Sequence, residues 1–199
     1  MLVQDVMTPE PVTVRIDSTV KGALILLADH GVTSLPVVDA AGRIRGVVSE
    51  ADLIREAVAR DPRLRETPLP RDRTDAPDSV ADVYTPHAVS VRGRDDLADA
   101  VELMTSTSVK SLPVVDADDR VVGIVSRSDV VRLLARADSA IGAEVADLLR
   151  SLGHDSWLVE VQDGVVELSG PRGHSEAAIA RVTAGSVGGV IEVRVDQQP

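Results

Sequence analysis

The chain carries an internal repeat at a fixed offset of 77 residues, which confines it to folds assembled from two copies of one small unit. Asp5-Val6-Met7-Thr8-Pro9 aligns with Asp82-Val83-Tyr84-Thr85-Pro86. Ser34-Leu35-Pro36-Val37-Val38-Asp39-Ala40 aligns with Ser111-Leu112-Pro113-Val114-Val115-Asp116-Ala117. Gly46-Val47-Val48-Ser49-x-x-Asp52 aligns with Gly123-Ile124-Val125-Ser126-x-x-Asp129. From Asp5 to Ile54, about 22 of 50 ungapped positions are identical to their partners, which marks a duplication.

Each copy reads as the same series of elements. Val12-Thr13-Val14, and Val89-Ser90-Val91 in the second copy, form a brief β segment. A helix follows from near Ser18, with Val20, Ala23, Leu24 and Leu27 on one face, and Gly31 stands where its C-terminus needs a left-handed residue. In the second copy Asp95 or Asp96 opens the helix, and Leu97, Ala100, Val101 and Met104 form its stripe. Leu35 to Val38 and Ile44 to Val48 are apolar runs joined by a tight acidic turn, which predicts a β-hairpin. A last helix after Ser49 carries Leu53, Ile54 and Ala57. Arg55 to Ser79, with Pro62, Pro68, Pro70 and Pro77 among dense charge, finishes that helix and then reads as a linker, extended or mobile.

Composition supports an α/β (α+β) fold. With no Phe, one Trp and one Tyr, Val, Leu, Ile and Ala must supply the core, which suits Val-rich strands under Ala- and Leu-rich helices. The chain has no Cys, so disulfides, thiolate metal sites and a cysteine nucleophile are excluded. The formal net charge of −11 argues against binding nucleic acid or an anionic membrane and is silent on small anions. Residues 1–5 lack the pattern of a signal peptide, and the nearly apolar stretch Ala23 to Ala28 is too short to span a bilayer, so a cytoplasmic location is expected.

The pattern Asp-Val-Met-Thr, helix, Leu-Pro-Val-Val-Asp, hairpin and Gly-apolar-apolar-Ser-x-x-Asp resembles the CBS domain, and two in tandem resemble a Bateman module. The resemblance implies two repeats related by a pseudo-twofold axis, with two clefts that take AMP, ADP, ATP or S-adenosylmethionine. It also implies a homodimer formed through the modules. The expected boundaries are repeat 1 over 1–58, a linker over 59–79, repeat 2 over 80–136 and a small C-terminal domain over 137–199.

Ser49-x-x-Asp52 and Ser126-x-x-Asp129 have two readings. As plain structure they are helix N-caps, the Ser hydroxyl meeting an orphan amide and the carboxylate sitting in the first turn. The same geometry presents N–H groups and a positive dipole end to a phosphate, and a carboxylate that accepts from the vicinal hydroxyls of a ribose. The CBS resemblance implies that Asp52 and Asp129 hold ribose and that Ser49 and Ser126 lie near phosphate. Glu50 stands in the first motif where Arg127 stands in the second, and Lys110 replaces Thr33 just before the second Ser-Leu-Pro run. The site around Ser126 and Asp129 is therefore expected to be the tighter, with Arg127 or Lys110 holding phosphate. Val12, Leu35, Pro36, Val89, Leu112 and Pro113 are the available adenine walls, or else ordinary core. A phosphorylated nucleotide is favoured over S-adenosylmethionine, whose sulfonium needs an anionic or electron-rich partner.

Nothing points to catalysis. His30, His87, His154 and His174 show no metal-ligand spacing, and neither a Gly-x-Ser-x-Gly elbow nor a phosphate-cradling GxxxxGK[ST] loop occurs.

From Ser139 the pattern changes. Ile141, Val145, Leu148, Leu149 and Leu152 form a helical stripe closed by Gly153. Leu158 to Val161 and Val165 to Leu168 flank an Asp163-Gly164 turn. A second helix from about Ser175 to Ala184 carries Ala178, Ile179 and Val182, and Val190 to Val195 is the final strand. This αββαβ order, with Val161-x-Asp-Gly-Val-Val-x-Leu-Ser-Gly170, resembles a BON domain, which implies phospholipid or partner binding. From Ala137 onward four Arg stand against ten acidic residues, so a protein partner or a dimer-stabilising role is expected over a membrane. The leading expectation is a non-catalytic nucleotide sensor; the alternative is a ligand-free scaffold presenting the C-terminal domain.

Overall fold

A computed structural model describes residues 1–57, 79–107 and 109–198, so the expected linker lies outside the described residues except for Ser79. Contacts divide the chain into two compact units, Leu2–Ser126 and Met1 with Arg127–Pro199.

In the first unit, each repeat opens with a single 3-10 turn, Val3–Asp5 or Val80–Asp82, whose leading valine is fully buried. Repeat 1 continues through β1 (Thr8–Pro9), β2 (Val14–Arg15), α1 (Val20–His30), β3 (Ser34–Val38), β4 (Ile44–Ser49) and α2 (Glu50–Ala57). Repeat 2 supplies β5 (Thr85–Pro86), β6 (Val91–Arg92), α3 (Leu97–Ser106), β7 (Ser111–Val115) and β8 (Val121–Ser126).

The helices start and stop for local reasons. Thr19 caps α1 by accepting from the Gly22 N–H at 3.0 Å, and Asp96 caps α3 by accepting from the Ala98 N–H at 2.9 Å. Gly31, at φ 61°, ends α1 in the left-handed region expected of it. Val20, Ala23 and Leu27 on α1 and Leu97, Ala100 and Met104 on α3 are buried, as the stripes predict.

The two repeats exchange their first strands. One sheet runs β2-β3-β4-β5 and the other β1-β8-β7-β6, so each repeat's Thr-Pro dipeptide completes the sheet of the other. β3–β4 and β7–β8 are the expected hairpins, with Leu35 opposite Val48 and Leu112 opposite Val125. Their tips meet: the Ile44 N–H donates to the Asp119 carbonyl at 2.9 Å, and the Val121 N–H donates to the Gly42 carbonyl at 3.2 Å. These reciprocal pairs carry the pseudo-twofold relation between the repeats. β2 reaches only Val37 and Val38, so Pro36 sits where that side of β3 has no neighbouring strand and its missing N–H costs no ladder bond.

The second unit contains α4 (Arg127–Leu134), α5 (Asp138–Ser151), β9 (Leu158–Gln162), β10 (Val165–Arg172), α6 (Gly173–Gly185) and β11 (Glu192–Gln198). The order from α5 onward is the expected αββαβ; the sheet runs β11-β10-β9, antiparallel between β9 and β10 and parallel between β10 and β11. Ile141, Val145, Leu149, Trp157, Val166 and Leu168 form its core, and Trp157 stacks on His154 with ring centroids 3.9 Å apart. Arg136 ties the end of α4 into this unit, donating to the Gly188 carbonyl at 2.7 Å and to Glu144 at 2.6 Å.

Two stripes need correction. On α5, Leu148 and Leu152 are exposed and the buried line is Ile141, Val145 and Leu149. On α6, Ala178, Ile179 and Val182 are exposed, and the buried line is Ala177, Ala180 and Ala184. The small alanine side chains let this helix lie close against the sheet, which bulkier residues on that face would prevent.

Candidate functional site

β4 runs into α2 without an intervening residue, so Ser49 closes a strand and caps a helix at once. Its hydroxyl donates to Asp52 Oδ2 at 2.6 Å, and the same Oδ2 accepts the Ser49 N–H at 3.2 Å. The Asp52 N–H donates back to Ser49 Oγ at 3.3 Å, which completes a capping box. The Glu50 N–H donates to the Thr33 carbonyl at 2.9 Å and ties the corner to the residue before β3. Asp52 keeps its carboxylate partly open, with Oδ1 3.9 Å from Arg55 Nη1.

This corner faces a cleft of about 430 Å³, within the range of small-molecule sites. Ser49, Glu50 and Asp52 line one side, and His87, Val89 and Lys110 from the second repeat line the other. The cleft therefore joins two carboxylates, the one on Asp52 hydrogen-bonded, with an ammonium group, an imidazole and an apolar wall, which is a donor and acceptor set suited to a polar small molecule. The repeats converge here because exchange of the first strands brings Thr85 and the residues after it beside β4.

Several expected site residues lie elsewhere. Lys110 was expected with Ser126 and Asp129; it lines the cleft of Ser49 and Asp52 instead, because the stretch before β7 faces the α2 corner of the other repeat. Leu35 and Leu112 are fully buried core residues, and Pro36 and Pro113 are also buried; β3 and β7 are covered on both faces, so these four residues do not line the cleft, whereas Val47 of β4 does. Val12 is half-buried against the core of repeat 1, whereas Val89, 42% exposed, lines the cleft. Ser126 ends β8, Arg127 opens α4 with an exposed side chain, and Asp129 sits in the first turn, buried, accepting from Arg132 Nη1 at 3.0 Å.

His87 is a cleft residue that sequence reasoning passed over. It holds φ at 53°, and Glu10, its partner across the repeat, holds φ at 48°. Each also donates its N–H to the neighbouring strand, His87 to the Arg45 carbonyl and Glu10 to the Val122 carbonyl. A left-handed backbone at both Thr-Pro-x positions marks a constrained turn, and the repeat alignment is the one sequence signal that linked them.

A family model of the CBS domain matches residues 3–59 and 80–136, more than half of the chain. The chain belongs to the CBS domain family. It is 30% identical over 136 residues to a CBS domain-containing protein of Dictyostelium discoideum, covering 68% of this chain and 92% of that one. The crystal structure of CBSX2, an Arabidopsis thaliana CBS protein, in complex with AMP is 36% identical, with a TM-score of 0.56, and covers 66% of this chain and 93% of that chain. The cytosolic domain of the Mg2+ channel MgtE in complex with ATP is 34% identical, with a TM-score of 0.51, covering 65% of this chain and 47% of that chain. The chain spans 62% of the full-length CBSX2 relative, and the family match ends at residue 136, before the αββαβ region. Among the described residues, no helix is long and apolar enough to cross a membrane, and no three metal-ligating side chains are grouped to hold an ion.

Proposed function

We propose that this CBS pair is a non-catalytic sensor that binds an adenine nucleotide, AMP, ADP or ATP, and signals through its conformation or dimer state. The observation that carries the reading is the cleft in which Ser49 and Asp52 of one repeat face Val89 and Lys110 of the other. Asp52 offers its carboxylate to the ribose hydroxyls, Lys110 offers charge to phosphate, and Val89 offers an apolar wall to the base. Two solved relatives above 25% identity carry AMP and ATP, which supports this ligand class over S-adenosylmethionine. A ligand that touches both repeats favours whichever relative arrangement suits it, which is how binding becomes a signal.

The αββαβ region, BON-like in its hairpin motif, serves as a protein-contact or dimer-stabilising domain in this reading; Leu158, Val182 and Ile191, each at least 65% exposed, suit such a role. The protein acts in the cytoplasm as a homodimer assembled through its CBS modules.

Isothermal titration of AMP, ADP, ATP and S-adenosylmethionine into the wild type and Asp52→Ala tests the proposal. Saturable binding of a nucleotide, weakened tenfold or more by Asp52→Ala, is the expected result. Absence of heat with all four ligands, on a folded protein, would leave the scaffold reading in its place.

A further inference from the structure

Within the Ser-x-x-Asp motif the two repeats carry opposite charges at the first residue of the helix: Glu50 in the first, Arg127 in the second. Glu50 opens α2 and its side chain is exposed on the wall of the described cleft. Among the described residues of the lining, it sets with Asp52 two carboxylates against one ammonium, that of Lys110. His87 is the remaining titratable group among the described lining residues. Arg55 stands 3.9 Å from Asp52, but its side chain is 72% exposed and screened by solvent. The cleft thus offers an anion one ammonium yet carries a net negative wall at the end where a helix N-terminus would otherwise favour phosphate.

We infer that Glu50 is a specificity-determining residue that restricts this cleft to adenine ligands bearing one phosphate. The inference rests on the nucleotide-binding reading above. A single phosphate needs one cation, and Lys110 provides it. Each further phosphate adds charge that must sit closer to Glu50 or extend into solvent, and among the described lining residues no second cation offsets the repulsion it brings. Repulsion of this kind, at partly exposed separations, discriminates on the order of threefold per added charge at low salt, or about tenfold for the two further phosphates of ATP.

The test is titration of AMP and ATP, both without divalent cation, into the wild type, Glu50→Gln and Glu50→Arg. The signal assigned to this cleft is the one that Asp52→Ala removes. The wild type is expected to bind AMP about tenfold more tightly than ATP; Glu50→Gln narrows the ratio, and Glu50→Arg, which copies the second repeat, equalises or inverts it. The contrast shrinks in raised salt. Glu50→Gln keeps the size of the side chain, so it retains the test if the arginine variant folds poorly. Binding of both nucleotides at a ratio unchanged across the variants overturns the role of Glu50 alone. Binding of neither to the wild type overturns the nucleotide reading with it.

Discussion

Ser34 and Ser111, 77 positions apart and equivalent under the repeat, meet hydroxyl to hydroxyl at 2.9 Å. Equivalent residues can touch only where a twofold relation brings a position onto its own copy, so this pair lies on the pseudo-axis of the CBS pair. Ser111 is 8% exposed, which makes an unpaired hydroxyl there costly. Ser34→Ala and Ser111→Ala are each expected to destabilise by about 1 kcal/mol, and the double variant by less than their sum. Urea unfolding of the four proteins measures the coupling, and strict additivity would show that the contact contributes nothing.

Gly46 and Gly123 both lie where an exchanged strand crosses, but their neighbours differ in kind. A Cβ at Gly46 would stand 2.1 Å from the Thr85 carbonyl oxygen and 2.7 Å from the Tyr84 ring, whereas at Gly123 it would stand 2.4 Å from Met7 Sδ. Backbone cannot yield as a methionine side chain can. Gly46→Ala is expected to cost about 2–3 kcal/mol and Gly123→Ala about 1 kcal/mol. Equal shifts in denaturant midpoint would contradict the distinction.

The acidic turn at each hairpin tip links stability to pH. Asp39 Oδ1 accepts the Ala41 and Arg43 N–H groups at 2.8 and 3.0 Å, and Asp116 Oδ1 accepts the Asp118 and Arg120 N–H groups, both at 2.9 Å. Backbone donation from Arg43 and from Arg120 is the main cause holding these carboxyls below the usual 3.8. A depressed folded-state pKa contributes stability that is present above the unfolded value and is lost as pH falls through the folded value. Stability should therefore decline below about pH 4, and Asp116→Asn, which keeps an acceptor oxygen but does not titrate, should flatten that decline. Urea midpoints at pH 7 and pH 3 decide it: an unchanged difference between the two pH values would remove Asp116 from the acid response.

Much of this architecture was legible because local chemistry repeats. The hairpins, the cap at Asp96 and the left-handed Gly31 follow from residue types whose roles are set within a few positions. The exchange of Thr8–Pro9 and Thr85–Pro86 was not, since two-residue strands have no periodicity to read and their partners lie far along the chain. The placement of Lys110 depended on that exchange, which is why it was expected beside the wrong motif. On α6 the larger Ile179 and Val182 outweighed alanines in the apolar pattern, although close packing on the sheet selects the small face. Asp52, Ser49 and Val89 were legible because motif and repeat coincide there; His87 was not, because nothing about a histidine announces a left-handed backbone.

Gly42 and Asp119 occupy equivalent places in the two hairpin tips, both left-handed, at φ 76° and φ 60°. Their carbonyls accept the N–H groups of Val121 and Ile44 that join the tips, so the contact between the repeats depends on this conformation. A Cβ at Gly42 would meet nothing within 4 Å, and any cost of placing a side chain there is conformational. Gly42→Ala is therefore expected to destabilise by about 1 kcal/mol. Asp119→Gly relieves the same strain and is expected to stabilise by about 0.5 kcal/mol, part of the gain being offset by the freer unfolded chain. The ion pair it removes, Arg92 to Asp119 at 3.7 Å between exposed side chains, contributes little. Opposite signs for the two substitutions in urea unfolding would establish backbone conformation as the cause. Destabilisation by both would instead assign the Asp119 side chain a role that its exposed ion pair does not explain.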